Sequence, residues 1–317
     1  MKNDLLKISF QVLRFVLPVV LISWLATQVD WQAVMPLLRE MNWWIIPLSA
    51  ACYLVAHIIF TIRWRYLLRV KSINLPFFRL LGYILISIFV SNFLPTTIGG
   101  DLVKMAGVAR DVKERRGIAA ASVVADRLYN LAGMVVLLLP SLAIMAPPLG
   151  LMMKTGRGSG SLAMAALMPW RKKAMEKLVQ GWNSTREWFT SPTCVLYSLG
   201  LSIMSVGLNF AAFWLVLKGL GIEASFWQAM AIATLAYFIA LVPVAINGLG
   251  VQEGSITFML TQLGASAEQA VAAAFLIRLV TLSVSLLGGI WLLVDGKGLL
   301  SLARETSVDH PAGEQKP

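Results

Sequence analysis

The sequence predicts an all-α, polytopic integral membrane protein with about 6–8 transmembrane helices and two oppositely oriented re-entrant helical hairpins in an inverted repeat. Three observations predict it. The 317 residues are 58% hydrophobic and 14% charged, with a mean hydropathy of +0.74, which no ordinary soluble domain approaches. The apolar runs lack period-2 alternation and exceed the length of a barrel strand, so helices must satisfy the backbone within lipid. Finally, two of these runs are broken by proline, glycine and an acid, in "NFLPTTIGGDLVK" (92–104) and "LVPVAINGLGVQEGS" (241–255).

The apolar runs fall at 8–28, 43–62, 77–98, 118–146, 192–217, 226–246 and 268–294. The first has a basic start, but its length and the lack of a small-residue cleavage site predict a retained helix rather than a signal peptide. Lys2, Lys7 and Arg14 place its start in the cytoplasm, and Arg63, Arg65, Arg69 and Lys71 bring the end of the second helix back there. The third run raises a conflict. A full crossing would put the next connector outside, yet Lys104, Arg110, Lys113, Arg115 and Arg116 mark that connector as cytoplasmic. Both statements hold if the chain enters, turns at Pro95, Gly99 and Gly100, and returns as a short helix. Broken backbone at membrane depth is tolerated only where protein buries it or water reaches it, so this turn is a candidate lining of a site.

The run at 118–146 leaves the cytoplasm, and the basic amphipathic connector 170–190 shows that the chain has returned before it; the crossing between 142 and 169 has no clear placement. Residues 192–217 cross outward. Residues 226–246 then enter and break at Pro243, Gly248 and Gly250, and 268–294 bring the C-terminus inside. The organisation is one transmembrane domain, 1–296, with repeat-like halves 43–146 and 192–294, followed by a short cytoplasmic tail, 297–317. Trp24, Trp43, Trp44, Trp170 and Trp291 lie near the expected boundaries and read as interface anchors.

The two breaks belong to a longer echo. Pro95, Gly99, Gly100, Asp101 and Arg127 answer to Pro243, Gly248, Gly250, Glu253 and Arg278, with 26 residues from acid to arginine in the first copy and 25 in the second. Inverted repeats with broken helices are the sequence sign of a transporter whose site lies where the repeats meet. An arginine inside a spanning helix costs at least ~2.5 kcal/mol to insert and normally faces the protein interior or a watery cavity. Arg278 and Arg127 are therefore candidate clamps for a phosphate or another anion, with a structural ion pair (Arg278 with Glu253) and snorkelling (Arg127) as the plain alternatives. Asp101 and Glu253 stand where helices begin, and they suit both capping and a role beside an anion site. Asp126 adjoins Arg127 and is a candidate for orienting it. His57, alone on an apolar run, reads as a hydrogen-bonded core residue.

The net charge of +11 is explained by cytoplasmic connectors, which argues against nucleic acid as a partner and makes membrane lipids the expected one. Neither a metal motif, a disulfide framework, a Walker loop nor a nucleophile triad is visible in the sequence, so no cofactor, metal or catalytic residue is expected. The chain is not expected to be an enzyme.

At "NFLPTTIGGDLVK", "ADRLYNL", "INGLGVQEG" and "FLIRLVT" the chain resembles the family of the lysylphosphatidylglycerol synthase transmembrane region, also called flippase-like domain proteins. Asn92, Pro95, Gly99, Gly100 and Asp101 fit its first element, and Asp126 with Arg127 the second. Pro243, Gly248, Leu249, Gly250, Val251 and Glu253 fit the third, followed by the late Arg278. The resemblance implies a protein of the bacterial inner membrane that moves lipids between leaflets: aminoacylated phospholipids in the fused synthases, polyprenyl-linked sugars or other lipids in stand-alone members. In the fused synthases a soluble catalytic domain follows, whereas here only 297–317 follow the last helix, so aminoacyl transfer by this chain is not expected. Asn247 stands where many relatives have glycine or proline, which adds it to the candidate headgroup contacts. The alternative expectation is a non-catalytic membrane subunit or accessory of a glycosyltransferase or lipid-synthesis enzyme, and a third is a scaffold with purely structural breaks. A scaffold predicts no polar cavity between the breaks.

Overall fold

The computed structural model describes residues 31–92, 99–155, 186–241 and 249–295. Among these residues the chain is entirely helical. In chain order it forms α1 (Trp31–Glu40), α2 (Ile45–Val70), α3 (Phe77–Ser91), α4 (Gly99–Asp111), a 3₁₀ turn at Lys113–Arg115, and α5 (Arg116–Thr155). After the next described stretch opens come α6 (Glu187–Thr190), α7 (Pro192–Gly219), α8 (Phe226–Ala240), α9 (Val251–Gln262) and α10 (Ala267–Asp295). Four segments are long and apolar enough to cross a membrane, namely Ile45–Val70, Arg116–Ser141, Pro192–Gly219 and Ala267–Val294, and the protein is a multi-pass membrane protein. The helices α3 and α8 are apolar but shorter, because each stops at one of the two sequence breaks. The expected first helix at 8–28, the tail 297–317, most of the connector 170–190, and Pro95, Pro243, Asn247 and Gly248 lie outside the described residues.

Lipid tails are as apolar as leucine, so burial of leucine does not by itself hold such helices together; small residues and interhelical hydrogen bonds do. The most extensive contact, between α2 and α7, shows this. Ser49 on α2 is fully buried and donates to the Ala212 carbonyl at 2.7 Å, and Ser198, Ser202, Ser205 and Ala212 give α7 a face that α2 approaches closely. Likewise α10 meets α3 through glycines: Gly289 faces the Phe89 ring, Gly82 lies under the Trp291 indole, and Gly288 has the Leu85 carbonyl against it. Trp291, expected as an interface anchor, thus packs across α3. A methyl on Gly288 would run into backbone that cannot rotate away. We expect Gly288→Ala to destabilise the protein by about 1–3 kcal/mol, as overpacking of a close contact does; unfolding in detergent micelles measures it, and Gly200→Ala, with open space around its Cβ position, is the comparison.

The second expected helix was to end near residue 62, with Arg63 in the basic connector. Instead α2 continues to Val70, and Arg63 is 1% exposed inside the bundle. Its charge is tolerated because partners surround it. Nε donates to Asp126 Oδ1 at 2.8 Å, Nη1 to Ser202 Oγ at 2.6 Å and Nη2 to the Asp126 carbonyl at 3.1 Å. Three long helices, α2, α5 and α7, are tied together at this point. Below it, Trp188 ties the described end of the connector to the bundle: its indole donates to the Leu67 carbonyl at 2.9 Å, and the Tyr129 hydroxyl donates to the Trp188 carbonyl. At the same junction Lys71 bonds Glu187, and that bond holds the Glu187 carboxyl below the usual range.

Candidate functional site

Both acid–arginine spacings close as ion pairs. Asp101, in the first turn of α4, accepts from Arg127 of α5, and Glu253, in the first turn of α9, accepts from Arg278 of α10. In each case the short helix that follows a break is bound to the next long helix. The first pair has a third member: Lys104 Nζ lies 2.9 Å from Asp101 Oδ1, one turn along α4. In the second pair the two carboxylate oxygens divide their work. Glu253 Oε2 accepts the Gly250 N–H at 2.7 Å, closing the start of α9, while Oε1 faces Arg278. Gly250 has φ 79°, a left-handed conformation that glycine adopts without a Cβ penalty, so the turn presents its N–H to the acid. Arg278 donates through Nε; its Nη2 sits against the same oxygen without hydrogen-bond geometry, leaving the planar fork incompletely used.

Arg278 and Glu253 line a cavity of about 320 Å³ among α2, α3, α5, α7, α8, α9 and α10. Its wall includes Ser91 and Asn92, which precede the first break in sequence, and Ala240 and Gln252, which stand in sequence before and after the second. Its polar lining residues include Asn92, Asn130, Asn209 and Gln252, together with Tyr53, Tyr237 and Thr281. Apolar groups such as Phe60, Phe210 and Ile277 complete the wall. A mixed lining of this size suits a small polar group carried on an apolar chain. Asn92 holds its place by donating to Ser285 Oγ at 3.0 Å on α10, and one end of the Asn130 amide is buried without a hydrogen-bond partner.

The structure does not bring all the sequence-derived candidates together. Asp101 and Arg127 stand outside the cavity lining, so the two arginines do not share one chamber in this conformation. Asp126 does not orient Arg127. Successive residues on a helix point about 100° apart, and Asp126 turns instead to Arg63, buried with it. Gly100 is buried where α4 begins against the end of α3, with Ser87 and Ser91 so near that a Cβ would not fit. His57 is buried and hydrogen-bonded to the Tyr53 carbonyl at 2.7 Å, as a core histidine would be. Sequence reasoning missed Asn209, Tyr53, Tyr237 and Gln252. A polar residue within an apolar spanning run is the signal that would have found Asn209.

A search among curated proteins found no match to this chain. The family model for the lysylphosphatidylglycerol synthase TM region matches residues 11–289, a span that contains both breaks, both acid–arginine pairs and every residue of the cavity wall. The chain therefore belongs to the family of the lysylphosphatidylglycerol synthase TM region, a membrane family of lipid-related function.

Proposed function

We propose that the protein is a lipid translocator of the bacterial inner membrane, with both termini in the cytoplasm and no chemistry of its own. The observation that carries this reading is a cavity of mixed lining, with amides and an acid–arginine pair in its wall beside residues that adjoin both breaks in sequence, which a scaffold with purely structural breaks does not predict. In this reading α3 with α4, and α8 with α9, are two re-entrant hairpins of opposite orientation, and the paired acids and arginines are the corresponding parts of an inverted repeat. A headgroup enters the cavity while its acyl or prenyl chain stays in lipid. Arg278 meets the phosphate there, and Arg127, paired with Asp101, is its counterpart for the other half of the cycle.

The test is leaflet exchange of labelled lipids in vesicles containing the purified protein. Exchange is expected to rise with protein for at least one lipid class and to fall at least about tenfold with Arg278→Ala, since losing a charge-assisted hydrogen bond costs about 1.5–3 kcal/mol. Identical rates for protein, variant and empty vesicles across phosphatidyl and prenyl lipids would remove the proposal.

A further inference from the structure

The wall of the cavity limits the headgroup it takes; this inference rests on the translocator reading and narrows it. Among the described residues of the lining the charged side chains are Arg278 and Glu253, and they are bonded to each other, so their formal charges cancel. A diphosphate brings two or more negative charges and needs several cations. Arg127 and Lys104 are not among the lining residues and are both paired with Asp101. A headgroup with a free amine calls for an unpaired carboxylate, and the charge of Glu253 is already paired with Arg278, while its other oxygen accepts the Gly250 N–H.

What the chamber does offer is neutral hydrogen bonding. An amide carries donors and an acceptor side by side, the pattern that a pair of neighbouring hydroxyls satisfies, and a tyrosine ring suits the C–H side of a sugar or polyol. Asn130 lines the chamber from α5. Asn209 faces the same space from α7. Arg278, the one cation in the described lining, suits a single phosphate better than a diphosphate.

We infer that the cavity selects a hydroxyl-rich headgroup bearing a single phosphate, that is, a glycosyl or polyol monophosphate lipid. Two sources share this chemistry, a glycerophospholipid with a polyol headgroup and a prenyl monophosphate sugar. Binding to the full chain in detergent, followed by tryptophan fluorescence or calorimetry, separates them. Five short-chain probes are used: dihexanoyl phosphatidylglycerol, a prenyl phosphoglucose, the matching prenyl diphosphoglucose, dihexanoyl phosphatidylethanolamine and dihexanoyl lysylphosphatidylglycerol.

At least one of the first two is expected to bind about tenfold or more tighter than the last three, and whichever it is names the source. Asn130→Ala and Asn209→Ala are expected to reduce that preference about tenfold, with Asn130→Gln retaining part of it. Unchanged elution and melting of the variants separates lost contacts from lost folding. Tightest binding of the diphosphate or of an amine-bearing lipid, or a preference untouched by both variants in the folded protein, overturns the inference and leaves the translocator reading standing. Binding of none of the five sinks both.

Discussion

Arg63→Ala is expected to lower the unfolding free energy by about 3–5 kcal/mol, because it leaves the Asp126 carboxylate buried without its cation. Arg63 is 1% exposed and its guanidinium reaches α5 and α7 at once, so the substitution also leaves Ser202 and the Asp126 carbonyl without their donor. Asp126→Ala is expected to have an effect of the same size, for the converse reason. The double variant Arg63→Met, Asp126→Leu is the informative one. An ion pair replaced by apolar groups of similar volume is often neutral or stabilising, so the double variant should regain most of what either single variant loses. Unfolding in micelles of fixed composition measures all three. A loss below about 1 kcal/mol for Arg63→Ala, the range of an exposed pair, would mean that water reaches the site and that the tie between the three helices is weak.

This pair also shows where sequence reading fails. An arginine at the end of an apolar run marks a membrane boundary in most chains, and Arg63 stands among three more basic residues. Its partner lies 63 positions away and itself adjoins an arginine, so Asp126 was naturally assigned to Arg127. Only the packing of α2 against α5 shows otherwise. The spanning helices themselves were legible because lipid demands long uninterrupted apolar runs: α7 and α10 begin and end within two residues of the expected 192–217 and 268–294. The acid–arginine pairs were legible for a different reason. A spacing of 26 residues in one half and 25 in the other is a pattern that a single sequence contains twice, and both pairs close in the structure. The wall of the cavity has no such internal echo. Asn209 sits alone in an apolar helix, and its neighbours across the space come from six other helices, so the chamber exists only after the bundle has packed.

Glu253→Gln is expected to tighten binding of a monophosphate headgroup about tenfold and to slow its leaflet exchange. Glu253 is bonded to Arg278, and in the translocator reading that carboxylate opposes a phosphate drawn to the same guanidinium. Glutamine keeps the size of the side chain and an oxygen for the Gly250 N–H, so the start of α9 keeps its cap, while the negative charge is gone. The formal charge of the pair then moves from zero to plus one. Two unit charges 4 Å apart interact by about 4 kcal/mol at the effective dielectric of a partly wetted protein site. Losing even a third of that competition corresponds to tenfold in affinity. In the translocator reading the cargo must also be released, and the carboxylate that opposes the phosphate at Arg278 also favours its exit. Affinity and rate therefore move in opposite directions for Glu253→Gln, whereas Arg278→Ala lowers both. Asp101→Asn, which changes a pair outside the wall, should leave headgroup affinity in this conformation within about twofold, a difference of roughly 0.4 kcal/mol. Titration of a monophosphate lipid into each variant, beside its exchange rate in vesicles, gives the comparison. If Glu253→Gln weakens binding as Arg278→Ala does, the carboxylate is itself a contact to the headgroup, and the picture of an acid that competes for the arginine is wrong.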